Sequence, residues 1–179
     1  MSDPTRLEAA SYRAAAPGTL VALHGALKAR MVEVAAAFWS LPTKASYPAD
    51  QRAPEVIDGW LPPKTGADAE QFPFLIVRPR SGTDAAQGAD QDARATVEII
   101  IGTYSDIDDG WTDVQLLIDA IRLSLGGEPV LAGTAFEHIG PLTWDLPEVQ
   151  TRPQWLGSVT TQWTLPRPRR VEARNPAQE

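Results

Sequence analysis

The sequence predicts an α+β fold, a mainly antiparallel sheet of four to five strands with helices packed against it. Two stretches, one from Thr19 to Trp39 and one from Trp111 to Leu125, carry apolar residues at three-to-four-residue intervals, the spacing of a single buried helical stripe. Other runs are rich in β-branched and aromatic residues and either alternate in polarity or stay apolar throughout, as strands do. These runs arrive as neighbours joined by loops and do not alternate with helices, which favours hairpins over a crossover-built parallel sheet.

Taken in order, Asp3 and Pro4 suit an N-cap and a first helical position, so a short helix is expected to about Ala16, where Pro17-Gly18 interrupts it. Residues 1–18 are read as an N-terminal extension, 19–166 as one domain and 167–179 as a basic, flexible tail. In the first main helix Leu20, Leu23, Leu27, Met31, Val34 and Phe38 form the stripe, with Lys28, Arg30 and Glu33 falling mainly between them. A long proline-rich connection follows, with a short strand around Val56 and Ile57. FPFLIVRP (Phe72 to Pro79) reads as a buried strand and ATVEIIIGTY (Ala95 to Tyr104) as a second, with SGTDAAQGADQDA between them as a polar, acidic hairpin loop.

The second helix should be capped by one of Asp106, Asp108 and Asp109 and bury Trp111, Val114, Leu117, Ile118, Ile121 and Leu125. Gly126-Gly127 and Pro129 are expected to stop it. Two further strands are expected at about Ala135 to Leu146 and Trp155 to Leu165. Both close on Trp-x-Leu-Pro, Trp144 to Pro147 and Trp163 to Pro166, each Pro ending its strand because it has no N–H to donate. A turn centred near Gln150 would set Trp144 opposite Leu156 and Trp163 opposite Glu137, with the two indoles at opposite ends of one sheet face.

Composition narrows the function classes. The 179 residues carry a net charge of −7, which argues against a protein built to grip duplex phosphate, because that affinity comes from basic side chains that release counterions. With no cysteine, disulfides, thiolate zinc sites and cysteine nucleophiles are excluded. No apolar run approaches the roughly 20 residues of a membrane span and the N-terminus lacks a signal pattern, so no membrane partner is expected and synthesis is expected in a cytoplasm.

Chemical motifs are weak throughout. DIDDG (Asp106 to Gly110) begins like a calcium loop, but Gly110, Trp111 and Leu117 stand where a third Asp or Asn, a glycine and a closing glutamate are needed. His24 and His138 lie on different elements without a glycine-flanked nucleophilic serine or a His-x-x-x-His pair. Gly126-Gly127 lacks the Lys-Ser/Thr of a phosphate loop. No catalytic residue, cofactor or metal is therefore expected. The tail Arg167, Arg169, Arg170 and Arg174 reads either as a contact for an acidic group or as a solvated end. Trp60, with Leu61 and Pro62, is the candidate interface anchor among six tryptophans; the plainer reading packs it onto its own domain.

IDGWLPPK, FPFLIVRP, ATVEIIIGTYSDIDDGWTDV, PLTWDLPE and WLGSVTTQWTLP, in that order, resemble the tail terminator proteins of long-tailed bacteriophages over about Val56 to Pro166. The resemblance implies a small non-enzymatic α+β subunit that closes into a homo-hexameric ring on the head-proximal end of the tail tube. It implies the tail tube protein and the neck or head-completion proteins as partners, a place in the virion, and DNA passing through the lumen without specific binding. The alternatives are a neck or tail-tube ring subunit and, further off, a small α+β hydrolase. Closed rings need two different complementary faces on each subunit, and the long connection with Trp60 and the sheet edges are the candidates. The loop with Asp84, Asp90 and Asp92 is expected at the lumen or rim, where like charge repels phosphate; the plainer reading is a loop kept soluble by its aspartates.

Overall fold

A computed structural model describes residues 18–38, 53–61, 63, 71–84, 93–106, 108–150 and 152–166. The helix expected before Ala16 and the basic tail lie outside the described residues. The elements run α1 (Leu20–Ala36), β1 (Glu55–Asp58), β2 (Phe74–Thr83), β3 (Ala93–Tyr104), α2 (Trp111–Gly127), β4 (Thr143–Asp145) and β5 (Gln154–Leu165). The fold is α+β. One five-stranded sheet has the order β1-β2-β3-β5-β4, with β1 parallel to β2 and every other pair antiparallel.

Both helices cover the same face. Alternation along β3 turns Ala95, Val97, Ile99 and Ile101 towards them, and the register brings Leu75 and Val77 of β2 and Gly157, Val159 and Thr161 of β5 alongside. Leu23, Leu27 and Met31 of α1 and Val114, Leu117, Ile121 and Leu125 of α2 close this core from above. Burying side chains of this size stabilises by about 1.5–3 kcal/mol each before the entropy of ordering them is subtracted. The other sheet face carries a smaller cluster, Phe72, Phe74 and Ile76, flanked by Ile57, Ile100 and Tyr104.

Thr19 caps α1, its Oγ1 accepting from the Ala22 N–H at 3.3 Å. The cap of α2 differs from expectation. Gly110 stands at the cap with helical backbone angles and no side-chain bond, and the Thr112 and Asp113 N–H groups bond to the Asp109 and Gly110 carbonyls. Asp108 is instead paired with Arg152 at 2.6 Å. A Cβ on Gly110 would collide with the Trp155 indole and Ser105, so glycine is demanded by a close approach of β5 to the helix start. That contact is also polar, since Trp155 Nε1 donates to the Ser105 carbonyl at 2.9 Å.

The other end of α2 differs too. Gly126 and Gly127 belong to the helix, and Glu128 ends it, its N–H bonding to the Ser124 carbonyl at 3.1 Å. The Glu128 carboxylate accepts from buried Arg30 at 2.9 Å, tying the end of α2 to α1.

The strand expected over residues 135–146 is broken. His138 bridges Trp163 and Glu137 bridges Val130, but Gly140 then turns to φ +59° and Pro141 offers no N–H, so regular pairing resumes only at Thr143. The hairpin register shifts with it: Trp144 lies opposite Val159 and Trp163 opposite His138. Both indoles keep to the helix-covered face, yet Trp163 is fully buried and Trp144 is 53% exposed. Among the described residues no helix is long and apolar enough to cross a membrane.

Candidate functional site

Trp60 is carried out of β1 by Gly59, whose φ of +66° is open to glycine at little cost and whose N–H bonds to the Val77 carbonyl at 3.0 Å. The indole is 72% exposed. Its contact is with Arg78, whose guanidinium lies 4.6 Å from the ring centroid, a stacking worth about 0.5–1 kcal/mol at an exposed site. Arg78 in turn donates twice to Glu98, at 3.2 and 2.6 Å, and Arg80 approaches the same carboxylate at 3.6 Å. Leu61 is exposed beside it, and Pro62 lies outside the described residues.

On the other side of the same sheet edge, Lys28 reaches Asp58 at 2.7 Å, and His24 donates through Nε2 to the Val77 carbonyl at 3.0 Å with Asp58 at 3.5 Å. These bonds fasten α1 to β1 and β2. Asp84 is exposed at the end of β2, and Asp90 and Asp92 lie outside the described residues.

The opposite edge is concave. Between α2 and the 138–144 segment lie two hollows of about 380 and 180 Å³, which share Asp119 and Arg122 in their walls. Leu123, Leu142 and His138 line the larger and Ile118 and Trp144 the smaller. Asp119 and Arg122, one helical turn apart, pair with each other. His138 stacks edge-on against Trp163 at 5.5 Å, and its Nε2 is buried without a hydrogen-bond partner. Burial holds its pKa below the usual histidine value.

The free side of β5 is closed in three ways. β4 covers Ser158 to Thr160, and residues 137–139 bond to Gln162 and Thr164. Between them and the turn, the Gln150 side chain does the work of a strand: its Oε1 accepts from the Leu156 N–H and its Nε2 donates to the Leu156 carbonyl, both at 2.9 Å. An amide is the side chain that can offer one donor and one acceptor to the same residue.

Sequence reasoning picked out the Trp60 corner and the acidic loop but missed the α2–β4 groove. The available signal was Leu123, an apolar residue on the helix outside its buried stripe and 77% exposed. The two histidines are not brought together, His24 lying over β2 and His138 against β5. Several described carboxylates are engaged in ion pairs, Asp58 with Lys28, Glu98 with Arg78, Asp108 with Arg152 and Glu128 with Arg30. Among the described residues no three of His, Asp and Glu come together to hold a metal ion. What the arrangement offers chemically is an exposed aromatic-arginine corner at one sheet edge and an apolar groove at the other. No family model matches the chain, and no curated protein matches it.

Proposed function

We propose that the chain is a structural subunit of the tail terminator type, forming a ring that caps a phage tail tube, ends its polymerisation and presents a surface to the neck. The observation that carries this reading is the order of the resembling segments. In sequence order they fall on β1 and its turn, β2, β3 and the start of α2, β4, and β5. A heterologous ring further requires two unlike faces on one subunit, and the two sheet edges differ in shape and in side-chain chemistry.

Negative-stain electron microscopy of the purified chain tests the proposal directly. Sixfold rings, alone or on added tube ends, are the expected result. Deleting the gene from its phage should give overlong, headless tubes. Normal tails with leaking heads would reassign the chain to the neck, and a chain that forms no ring and never binds a tube end would sink the reading.

A further inference from the structure

Among the described residues two buried side-chain polar atoms have no hydrogen-bond partner, Thr103 Oγ1 and His138 Nε2, and of the two only the imidazole takes up a charge near neutral pH. His138 sits between β5 and α2. Its ring stands edge-on to Trp163, and it shares the larger hollow with Leu123, Gly126 and the paired Asp119 and Arg122 of α2. The backbone around it closes the end of β5. The Ile139 N–H donates to the Gln162 carbonyl at 3.0 Å, the Thr164 N–H donates to the Glu137 carbonyl at 2.9 Å, and the Glu137 N–H donates to Thr164 Oγ1 at 3.2 Å. On one side this piece is anchored by Phe136, buried in the main core, and on the other it runs directly into Gly140 at φ +59°.

We propose that residues 137–139 are a latch released by a proton: protonating His138 detaches them from β5, with Phe136 as the anchor and Gly140 as the hinge, and leaves the end of β5 as an open sheet edge. While the ring is neutral, its unbonded Nε2 costs one missing hydrogen bond. An imidazolium has a donor on both nitrogens, so whichever nitrogen held the first proton, Nε2–H becomes part of a buried cation and meets no acceptor. No neighbouring charge offsets this. Asp119 and Arg122 are occupied with each other, Gln162, Trp163 and Thr164 of β5 and Leu142 are uncharged, and Glu137 is exposed. Once released, the ring is hydrated and binds its proton with ordinary affinity, so opening is coupled to the uptake of one proton. The latch is therefore shut above about pH 6.5, and the open population rises by up to about tenfold for each pH unit below it, until the folded pKa is reached. The inference stands on the geometry of this segment and is independent of the ring reading.

Amide hydrogen exchange followed by NMR on the full chain, from about pH 7.5 to 5, spans the histidine range and tests the latch. Rates are compared as protection factors, which removes the pH dependence of the exchange chemistry itself. The Ile139 and Thr164 amides should lose protection by up to about tenfold per pH unit below about pH 6.5, while those of Ile99 and Ile101 in β3 keep theirs. With two histidines in the chain, the His138 ring can be titrated in the same samples, and its protonation should accompany the loss. His138→Phe keeps an aromatic ring beside Trp163 without a titrating group, and both amides should stay protected across the range.

A loss shared equally by Ile99 and Ile101 means that the whole fold opens, and it overturns the latch. The same loss in His138→Phe puts the trigger on another group and also overturns it. So does a His138 ring that protonates while Ile139 and Thr164 remain protected, because the closed segment then accommodates the charge. If His138→Phe does not fold, the ring titration and the two amides of the wild-type chain decide between these outcomes on their own.

Discussion

Gly102 lies opposite Phe74 on the sheet face away from the helices, and a Cβ added there would run into the Phe74 ring. Replacing Gly102 by Ala therefore has two opposed effects. Removing glycine's backbone freedom favours folding by about 0.5–1 kcal/mol, while forcing the ring to move costs about 1–3 kcal/mol in a packed cluster. Because Phe74 is buried between Phe72, at a ring distance of 5.0 Å, and Ile76, it has little room to yield, and the clash should win. The net expectation is a loss of about 1–2 kcal/mol, or roughly 2–8 °C in Tm for a chain of this size. In a Phe74→Leu background the obstructing ring is gone, and Gly102→Ala should become neutral or slightly stabilising. Urea and thermal unfolding followed by circular dichroism, across all four members of the cycle, give the coupling energy. Equal costs in both backgrounds would refute the reasoning, and so would stabilisation by Gly102→Ala alone.

Replacing Trp155 by Phe removes the indole donor from the buried Ser105 carbonyl and should cost about 1–3 kcal/mol, measured by urea unfolding. Gln150→Ala uncovers the Leu156 backbone, so hydrogen exchange should show that amide losing protection while those of β3 keep theirs. His138 is neutral in the fold, and its folded pKa lies below 6.5 because of burial. The unfolded chain binds the proton more readily, so stability should be level above about pH 6.5 and fall as pH drops from there towards the folded pKa; His138→Phe should flatten that part of the profile. Asp119 and Arg122, which share the groove wall with His138, are paired with each other.

Where one periodicity governed, the sequence was readable. The helical stripes of α1 and α2 and the alternation of β3 and β5 follow from a spacing of apolar residues that a single face can bury, and they are observed except at the first residue of each helix, where Leu20 and Trp111 are exposed and not buried as expected. What escaped was set by contacts distant in sequence. Three aspartates near 108 looked like caps, but Trp155, some 45 residues on, packs against Gly110 and leaves that position to glycine. Gly126-Gly127 looked like a stop just past the helix, yet both are helical and α2 ends at Gly127, with Glu128 as its cap and the Glu128 carboxylate paired with Arg30 on the other helix. The strand before β4 was overextended because Gly140-Pro141 was read as part of a run when it divides one. Trp60 was legible as an aromatic in a proline-rich corner, and the groove facing the other way was not, because it is made by two segments that the sequence does not join.

The state of the two sheet edges bears on how copies of the chain would meet. Continuing the sheet from one subunit into the next needs an open backbone edge on each side, and an open edge of any length is an aggregation hazard. Here the β5 side is already shut by β4, by residues 137–139 and by the Gln150 amide, and β4 itself pairs over three residues, Thr143 to Asp145. A ladder through that side would have to rest on a strand too short to carry it. Side chains, by contrast, are available there in quantity, with Leu123 and Trp144 exposed on either side of the groove. Contact through side chains and contact through a ladder respond differently to a small change. If recognition is by the side chains of the Trp60 corner, truncating Trp60 should weaken association while leaving the backbone of both edges untouched; a ladder would be nearly indifferent to it. Salt separates apolar from charged recognition, since a contact held mainly by apolar burial should survive ionic strengths that screen exposed charges. Association that disappears with moderate salt and ignores Trp60 would place recognition in the surface charges instead.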